Sequence, residues 1–266
     1  MNAAASRKVR RYGAINGLGL WTLYLKEVRR FLKVFTQTIL APMVTTLLFL
    51  AIFTLALGKT AEIGGVPYAQ FLAPGLVMAA VMQQSFANTS SSILIGKIQG
   101  NIVDILMPPL SAAELTIGIA LGGMTRGILV AMATIAALSP FVRMHVADFA
   151  AVLFFGGAGA LLMSLIGIAA GIWSEKFDHL AAVTNFVVTP LAFLSGTFYS
   201  VDALPPFWHG VAHANPFFYL IDGFRSGFTG TAEALHLDGA LVMLAANAAL
   251  SLLCYAMFAR GYKLKV

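Results

Sequence analysis

The chain has 266 residues, of which 59% are hydrophobic and only 11% are charged. Soluble globular domains have about 25% charged residues, so this composition excludes a water-soluble enzyme or binding module and indicates an integral membrane protein. The net charge of +6 does not indicate a nucleic-acid partner, because no basic stripe is interleaved with stacking aromatic residues.

The N-terminal segment predicts an amphipathic helix. Over residues 17–35, apolar residues recur at alternating steps of three and four, while the other face carries charged side chains: Lys26, Glu27, Arg29, Arg30 and Lys33. This pattern is typical of a helix that lies in the membrane interface; packing against a cytosolic partner is the alternative. We expect residues 1–35 to form a cytoplasmic N-terminus with this interfacial helix, and residues 36–266 to form a single transmembrane domain.

Six apolar stretches follow. A hydrocarbon core about 30 Å thick needs roughly 20 apolar residues per helix, and suitable runs occur at 36–57, 68–93, 113–138, 149–172, 180–199 and 239–259. The second run is polar at its C-terminal end, and the fifth is short and contains Pro190. We expect an all-α membrane protein with six transmembrane helices.

The distribution of Lys and Arg predicts the orientation. With the N-terminus inside, the inner segments contain thirteen of these residues, and the outer loops contain three, namely Lys59, Arg143 and Arg225. The positive-inside rule therefore puts both termini of this multi-pass membrane protein in the cytoplasm. Contact with anionic lipid headgroups accounts for the basic balance.

Polar residues inside the second and third spans are candidates for a substrate pathway. Gln84, Asn88 and Ser91 share one helical face, and such residues are tolerated in a bilayer where they bond to other helices or face a watery cavity. Both alternatives remain open. Arg126 lies about 20 Å into the third span at 1.5 Å per residue, past the bilayer centre. A charge there is functional by default, with snorkelling or a structural hydrogen bond as the alternatives.

The inner segment 96–109 predicts a short cytoplasmic helix. Apolar residues at helical spacing alternate with polar ones before two prolines, Pro108 and Pro109, which end the helix and turn the chain. Ile102, Asp104, Ile105 and Leu106 are the candidate contacts to a partner. An ordinary connecting helix is the alternative interpretation.

The outer segment 205–219 is too apolar for an ordinary loop. It is rich in aromatic residues and broken by prolines, which predicts one or two short helices that dip into the outer interface. The expected cap of the bundle contains Pro205, Pro206, Trp208, Asn215 and Pro216. His209 and His213 are spaced like zinc ligands, but no third ligand is evident, so we expect no metal site.

Catalytic motifs are missing from the chain. A P-loop requires G-x-x-x-x-G-K-[ST], and the only Gly-Lys-Thr, at 58–60, has Phe53 in place of the leading glycine. We therefore expect no enzyme activity from this chain by itself. A secondary transporter normally has intramembrane acids and internal repeats, which we do not find. That class and a non-transporting structural subunit remain the alternatives to an ATP-driven permease.

Several stretches resemble a known family. Residues 70–75, 101–109 and 195–208, with Asn215-Pro216 and Gly223-Phe224-Arg225, resemble the permease subunits of type-2 ABC exporters, and in particular their YadH-like branch. The resemblance covers nearly the whole chain, and nodulation-factor permeases are more distant relatives.

This resemblance implies a homodimer of permeases, each with a separately encoded ATPase subunit that binds ATP and Mg. No cofactor is implied for this chain. By position, residues 17–35 match the family's connecting helix, about 96–109 its coupling helix, and about 202–228 its re-entrant helices. The family implies export of a lipid-linked, glycan or amphipathic substrate, and the particular substrate does not carry over.

Overall fold

The computed structural model describes residues 15–57, 62–232 and 236–264. Its helices are α1 (Gly17–Leu32), α2 (Ala41–Leu57), α3 (Tyr68–Ile98), α4 (Ile102–Leu106), α5 (Ala112–Leu138), α6 (Phe149–Trp173), α7 (Phe177–Val183), α8 (Thr189–Leu194), α9 (Pro206–His213), α10 (Pro216–Thr229) and α11 (His236–Ala259). The cationic residues before 15, the Gly-Lys-Thr at 58–60 and Lys265 lie outside the described residues.

Within the described ranges, five helical stretches are long and apolar enough to cross a membrane. They are Thr36–Ala56, Ala112–Leu138, Phe149–Trp173, Phe177–Leu194 and Leu237–Ala259. They coincide with five of the six predicted spans. The predicted second span is α3, which has 31 residues and is about 46 Å long at 1.5 Å per residue. Its many Gln, Asn, Ser and Thr side chains make it less apolar than the five stretches above.

The all-α prediction missed a small hairpin before α3. Strands β1 (Glu62–Ile63) and β2 (Val66–Pro67) pair antiparallel. The two linking glycines, Gly64 and Gly65, have φ of +58° and +77°. Two successive residues with positive φ are what the tight turn of a two-residue hairpin requires.

The first and fifth spans each contain a π-helical turn, at Thr36–Leu40 and Thr184–Val188. Each turn is followed by a proline, Pro42 and Pro190. Proline has no N–H, and its ring clashes with the carbonyl four residues earlier, which lies inside the π turn in both spans. The wider turn accommodates this clash. The two segments also share the pattern Thr-[Gln/Asn]-x-x-x-x-Pro.

The fifth span is displaced from its prediction of 180–199. It begins at Phe177 and ends at Leu194. The predicted C-terminal part instead turns away from the helix at Gly196, whose φ is +73°. Hydrogen bonds from the Asn215 amide to the Leu191 carbonyl and the Ser195 hydroxyl, both 2.8 Å long, hold this turn.

Helix α3 occupies the centre of the bundle and packs against α5, α6, α10 and α2. Glycines make these contacts close. Gly167 and Gly171 of α6 lie against Phe86 and Ser90 of α3, where an added Cβ would be 2.6 Å and 2.9 Å from their carbonyl oxygens. This glycine pair therefore allows α6 and α3 to approach each other closely.

We expect Gly167→Ala to destabilise the protein by about 1–3 kcal/mol, because its new Cβ would push α6 away from a backbone atom of α3. Gly157→Ala in the same helix is the matched control, since the nearest atom to its new Cβ is the flexible Met124 Cε at 3.3 Å. Thermal melting in detergent micelles measures both variants. Equal melting temperatures would contradict the close α3–α6 packing.

Helix α10 runs antiparallel to α6. Leu220 lies against Gly159, Phe224 against Gly156, and Gly227 against Val152. Since α6 starts at Phe149, the first turns of α10 lie about 15 Å from that end, at 1.5 Å per residue. The helix is buried along most of its length. Arg225, predicted in an outer loop, is instead 3% exposed on this helix, which corrects that expectation.

Helix α1 has three different faces. Leu23, Glu27 and Phe31 are buried against the bundle, whereas the cationic face is exposed to solvent. The predicted interfacial face is exposed as well, at Leu18, Trp21, Leu32 and Phe35. Leu23 meets Gly118 and Glu27 meets Gly122, so α1 runs in the same direction as α5. Glu27, which the sequence grouped with the solvated charges, is 0% exposed.

Candidate functional site

Helix α4 divides the predicted coupling residues between two faces. Ile102 and Ile105 are 1% and 5% exposed and belong to a core cluster with residues of α1, α3, α5, α6 and α11, while Leu106 packs partly against it. Asp104 is exposed, and on either side of it Val103 and Met107 are 48% and 77% exposed. The buried face therefore holds α4 on the bundle. The exposed face presents one carboxylate between two apolar side chains.

The end of the α4 segment is fastened to both α1 and α5. The Asn16 side chain, which caps α1, donates to the Pro109 carbonyl at 3.2 Å. The Asn16 backbone N–H donates to the Glu114 carboxylate. Glu114 also accepts from the backbone and hydroxyl of Ser111 at 2.7 Å and 2.8 Å, which forms a capping box at the start of α5. These hydrogen bonds join the turn after α4 to the start of α1, and the start of α1 to the start of α5.

A second polar cluster joins α1 to the middle of α3. Glu27 accepts hydrogen bonds from Ser92 at 2.7 Å and from Arg30 at 3.1 Å and 3.3 Å. Arg30 continues to the Asn88 carbonyl and side-chain oxygens at 2.6 Å and 2.9 Å and to the Ser91 hydroxyl at 3.3 Å. A buried carboxylate is stable only when it is paired and hydrogen-bonded, and this cluster meets that requirement for Glu27.

Arg126 lies about midway along α5 and is 9% exposed. Its guanidinium donates to the Gln84 side-chain oxygen, while its Nε has no hydrogen-bond partner. None of the ion pairs among the described residues includes it. Arg126 therefore neither snorkels to a helix end nor meets a carboxylate, and its contact is with the polar centre of α3.

A cavity of about 700 Å³ lies between the first span, α3 and the α7–α8 segment, and we call it the membrane cavity. Its polar lining on α3 consists of Gln83, Gln84, Ser90 and Ser91. Most of the remaining lining is apolar, including Phe49, Phe86 and Phe193, and none of the described lining residues is charged. Of the predicted pathway residues, Gln84 and Ser91 face this cavity, whereas Asn88 and Arg126 lie behind them.

The N-terminal part of α3, the turn after α8 and helix α10 meet in a packed corner. The Arg225 guanidinium donates to the Gly196 carbonyl and lies 3.8 Å over the Phe71 ring. Tyr68 donates to the Phe198 carbonyl at 2.9 Å, and Gly75 allows the Thr197 carbonyl to approach α3. Segments that are more than a hundred residues apart in sequence therefore pack against each other in this corner.

The predicted cap residues surround α9. Pro205, Pro206 and Trp208 are exposed, while the buried Asn215 caps α10 by accepting from the Phe217 N–H at 3.0 Å. The Nε2 atoms of His209 and His213 are 3.2 Å apart. Burial, and secondly the neighbouring His209, hold the pKa of His213 below its usual value. In the described part of the chain, no three His, Cys, Asp or Glu side chains are placed to hold a metal ion.

Residues 19–229 match the ABC-2 type transporter family. The chain is an ABC-2 transporter permease. A protein named inner membrane transport permease YadH, from Escherichia coli strain K12, is 34% identical over 249 residues, which cover 93% of this chain and 97% of that protein. Nodulation protein J of Rhizobium leguminosarum bv. viciae is 23% identical over 225 residues, covering 82% of this chain and 84% of its own length.

Membership of this family confirms the predicted resemblance. As an ABC-2 permease, the chain is a transport component of the inner membrane with several membrane-spanning helices. Permeases of this family usually pair with an ATP-binding subunit.

Two acidic residues of this ABC-2 permease were not among the predicted site residues. Glu27 is spaced four residues from both Leu23 and Phe31, so its position on a buried helical face was present in the sequence. Ser111 and Glu114 form the S-x-x-E pattern of a capping box. The link from Glu114 to Asn16, by contrast, spans 98 residues and has no sequence signal.

Proposed function

We propose that this permease is the membrane half of an ATP-driven exporter that moves an amphipathic, lipid-linked or glycan substrate out of the cytoplasm or the inner leaflet. The observation that supports the proposal is a set of contacts from the turn after α4 to the membrane cavity. It runs from Pro109 through Asn16 to α1, and through Glu27 and Arg30 to Ser92, Asn88 and Ser91 of α3. In this proposal, a movement of α4 is transmitted through these contacts to the cavity wall.

The ATPase is a separate chain in this proposal, and it docks on the exposed face of α4. Asp104, Val103 and Met107 offer a charge between exposed apolar side chains, which is the composition of a small protein contact. ATP and Mg bind to that partner, and this chain holds no cofactor. Because energetic coupling requires contacts that differ between two states, the rigid attachment of α4 to α1 and α5 favours this site over a flexible loop.

A second copy of the chain completes the transport path. The α7–α8 segment that lines the membrane cavity is hardly buried, with 6% of its span inside the bundle. Phe186 and Phe193 on this segment are 81% and 50% exposed. A homodimer that covers this face encloses the membrane cavity between two copies, whereas the remaining apolar faces contact membrane lipids.

The proposed membrane topology has six spans, with α3 as the polar sixth span among five apolar ones. The length of α3 exceeds the bilayer core, and its polar residues bond to neighbouring helices, as helices in lipid require. Both termini are cytoplasmic, residues 1–35 form the connecting region, and 36–266 form the transmembrane domain. Helices α9 and α10 form a re-entrant cap at the outer end.

Reconstitution with a candidate ATP-binding-cassette ATPase subunit tests the proposal. We expect the purified permease to hydrolyse no ATP and the combined complex to do so, because this chain has no P-loop. A secondary transporter would instead need no such subunit and would respond to a proton or sodium gradient. Robust hydrolysis by the permease alone, after removal of contaminants, would contradict the proposed division of labour.

A further inference from the structure

We propose that the membrane cavity selects amphiphiles with an anionic headgroup, which Gln84 binds through an amide that Arg126 orients and polarises. This inference rests on the proposed function, because it names the substrate class of the same pathway. It follows from the charge balance around the cavity, from the hydrogen bonding of Gln84 and from the composition of the cavity wall.

The charge balance is positive behind the polar wall of the cavity. Two arginines lie there, Arg30 on Ser91 and Arg126 on Gln84. The carboxylate of Glu27 is already engaged by Arg30 and Ser92. Among the described residues, no other carboxylate pairs with either arginine. One positive charge, that of Arg126, thus remains without an ion-pair partner about midway along α5, and an unpaired charge inside a membrane span is costly.

Gln84 connects Arg126 to the cavity, because it is hydrogen-bonded to Arg126 and lines the cavity. Its side-chain oxygen accepts from Arg126, so the amide N–H groups are the part left for other partners. They have no hydrogen-bond acceptor among the described residues, and Gln84 lines the cavity. A glutamine whose oxygen is held by a cation is a donor toward the other side, and hydrogen bonds to a charged acceptor are stronger than neutral ones. An anion satisfies these donors, whereas a cation is repelled.

The rest of the wall fits an apolar tail. The cavity volume of about 700 Å³ is within the range of 300–1,000 Å³ that is typical of sites for drug-sized ligands. Beyond the polar stripe of α3, most lining side chains are aromatic or aliphatic, including Phe49, Leu76, Val188 and Phe198, and the others are Gln37 and five threonines. A small inorganic anion would leave this apolar surface uncovered, so an anionic amphiphile is the better match.

The test uses the purified full-length permease in dodecyl maltoside micelles, without any ATPase. Dodecyl phosphate is titrated as the probe, with dodecyltrimethylammonium, dodecyl glucoside and inorganic phosphate as comparison ligands, and the melting temperature is recorded. A ligand that binds the folded state raises this temperature by mass action. We expect a saturable rise with dodecyl phosphate and none with the cationic, neutral or tailless compounds.

Three substitutions test whether dodecyl phosphate binds at Gln84 and Arg126. In Gln84→Met, which keeps the side-chain length without the donors, we expect the half-saturating concentration of dodecyl phosphate to increase about tenfold or more. Arg126→Gln is expected to have a similar effect. Gln83→Met is the matched control, because Gln83 lines the same cavity without a contact to either arginine, and we expect a change of less than about twofold.

Several outcomes would overturn the inference. Equal stabilisation by dodecyltrimethylammonium, or unchanged binding in both Gln84→Met and Arg126→Gln, would remove the anion site. An equal rise in melting temperature with inorganic phosphate would show that the apolar tail does not contribute to binding. Saturable stabilisation by phosphatidylglycerol, with no stabilisation by dodecyl phosphate, would assign the site to a structural lipid. None of these readings depends on ATP hydrolysis, so failure of the proposed function in the reconstitution experiment remains distinguishable.

Discussion

The substitution Asp104→Lys is expected to weaken binding of the ATP-binding subunit by about tenfold or more while leaving the permease inserted and dimeric. Its carboxylate lies on the exposed face of α4 and has no partner within the described residues, so the change should cost the isolated permease little. At a contact, reversed charge costs several kcal/mol when it meets a like charge. Affinity purification of the complex and substrate-stimulated ATP hydrolysis measure the effect.

The matched control for Asp104→Lys is Asp178→Lys, which makes the same change at an exposed position at the start of α7. We expect this control to keep the ATP-binding subunit. Val103→Glu and Met107→Glu extend the test to the apolar neighbours on the docking face. Ile102→Asp and Ile105→Asp are unsuitable probes of contact, because both side chains are in the core and a buried charge would unfold the segment. Normal assembly and export in all three docking-face variants would remove α4 from the mechanism.

The second large effect is expected for Glu27→Leu, which should reduce export at least about tenfold while ATP hydrolysis continues. Removing one partner of a buried ion pair costs about 3–5 kcal/mol, and the partial exposure of Arg30, at 31%, lowers that cost. The substitution leaves Arg30 with Asn88 and Ser91 only, and it releases the Ser92 hydroxyl. The polar link from α1 to α3 is thereby weakened to the contacts of Arg30, so we expect less of any movement at α4 to reach the cavity wall.

Glu27→Gln is the control for this variant, because an amide keeps the shape and the hydrogen bond from Ser92 without the charge. We expect export to fall less in Glu27→Gln than in Glu27→Leu, and complex assembly to be normal in both. ATP hydrolysis and export are measured on the same reconstituted vesicles, so that their ratio reports coupling. If hydrolysis and export fall in parallel, Glu27 stabilises the fold and does not transmit movement.

Most of the stretches on which the predicted family resemblance rests come together in this protein. Those around Phe71, Gly196, Asn215 and Arg225 form the packed corner of α3, α8 and α10. The resemblance in these stretches therefore coincides with the geometry of a turn and a buried arginine.

The sequence by itself determined the class of protein and the positions of five membrane-crossing stretches. Apolar content and the length of apolar runs are local properties, and the bilayer imposes a minimum length that any single run must meet. The short helix α4 and the cap of α10 were also predictable, because prolines and an Asn cap act within a few residues. The π turns have a local signal as well, in the shared spacing of Thr36 to Pro42 and Thr184 to Pro190.

The tertiary structure alone decided which polar residues work together. Glu27 and Arg225 belong to charged or loop segments in the sequence, and they are buried because another helix or turn lies against them. The cavity wall, the pairing of Arg126 with Gln84 and the inward face of α4 likewise depend on which helices are neighbours. Such neighbours are joined by contacts between residues 42 to 98 positions apart. No periodicity in a single segment encodes them, because burial of a side chain is a property of the assembled bundle.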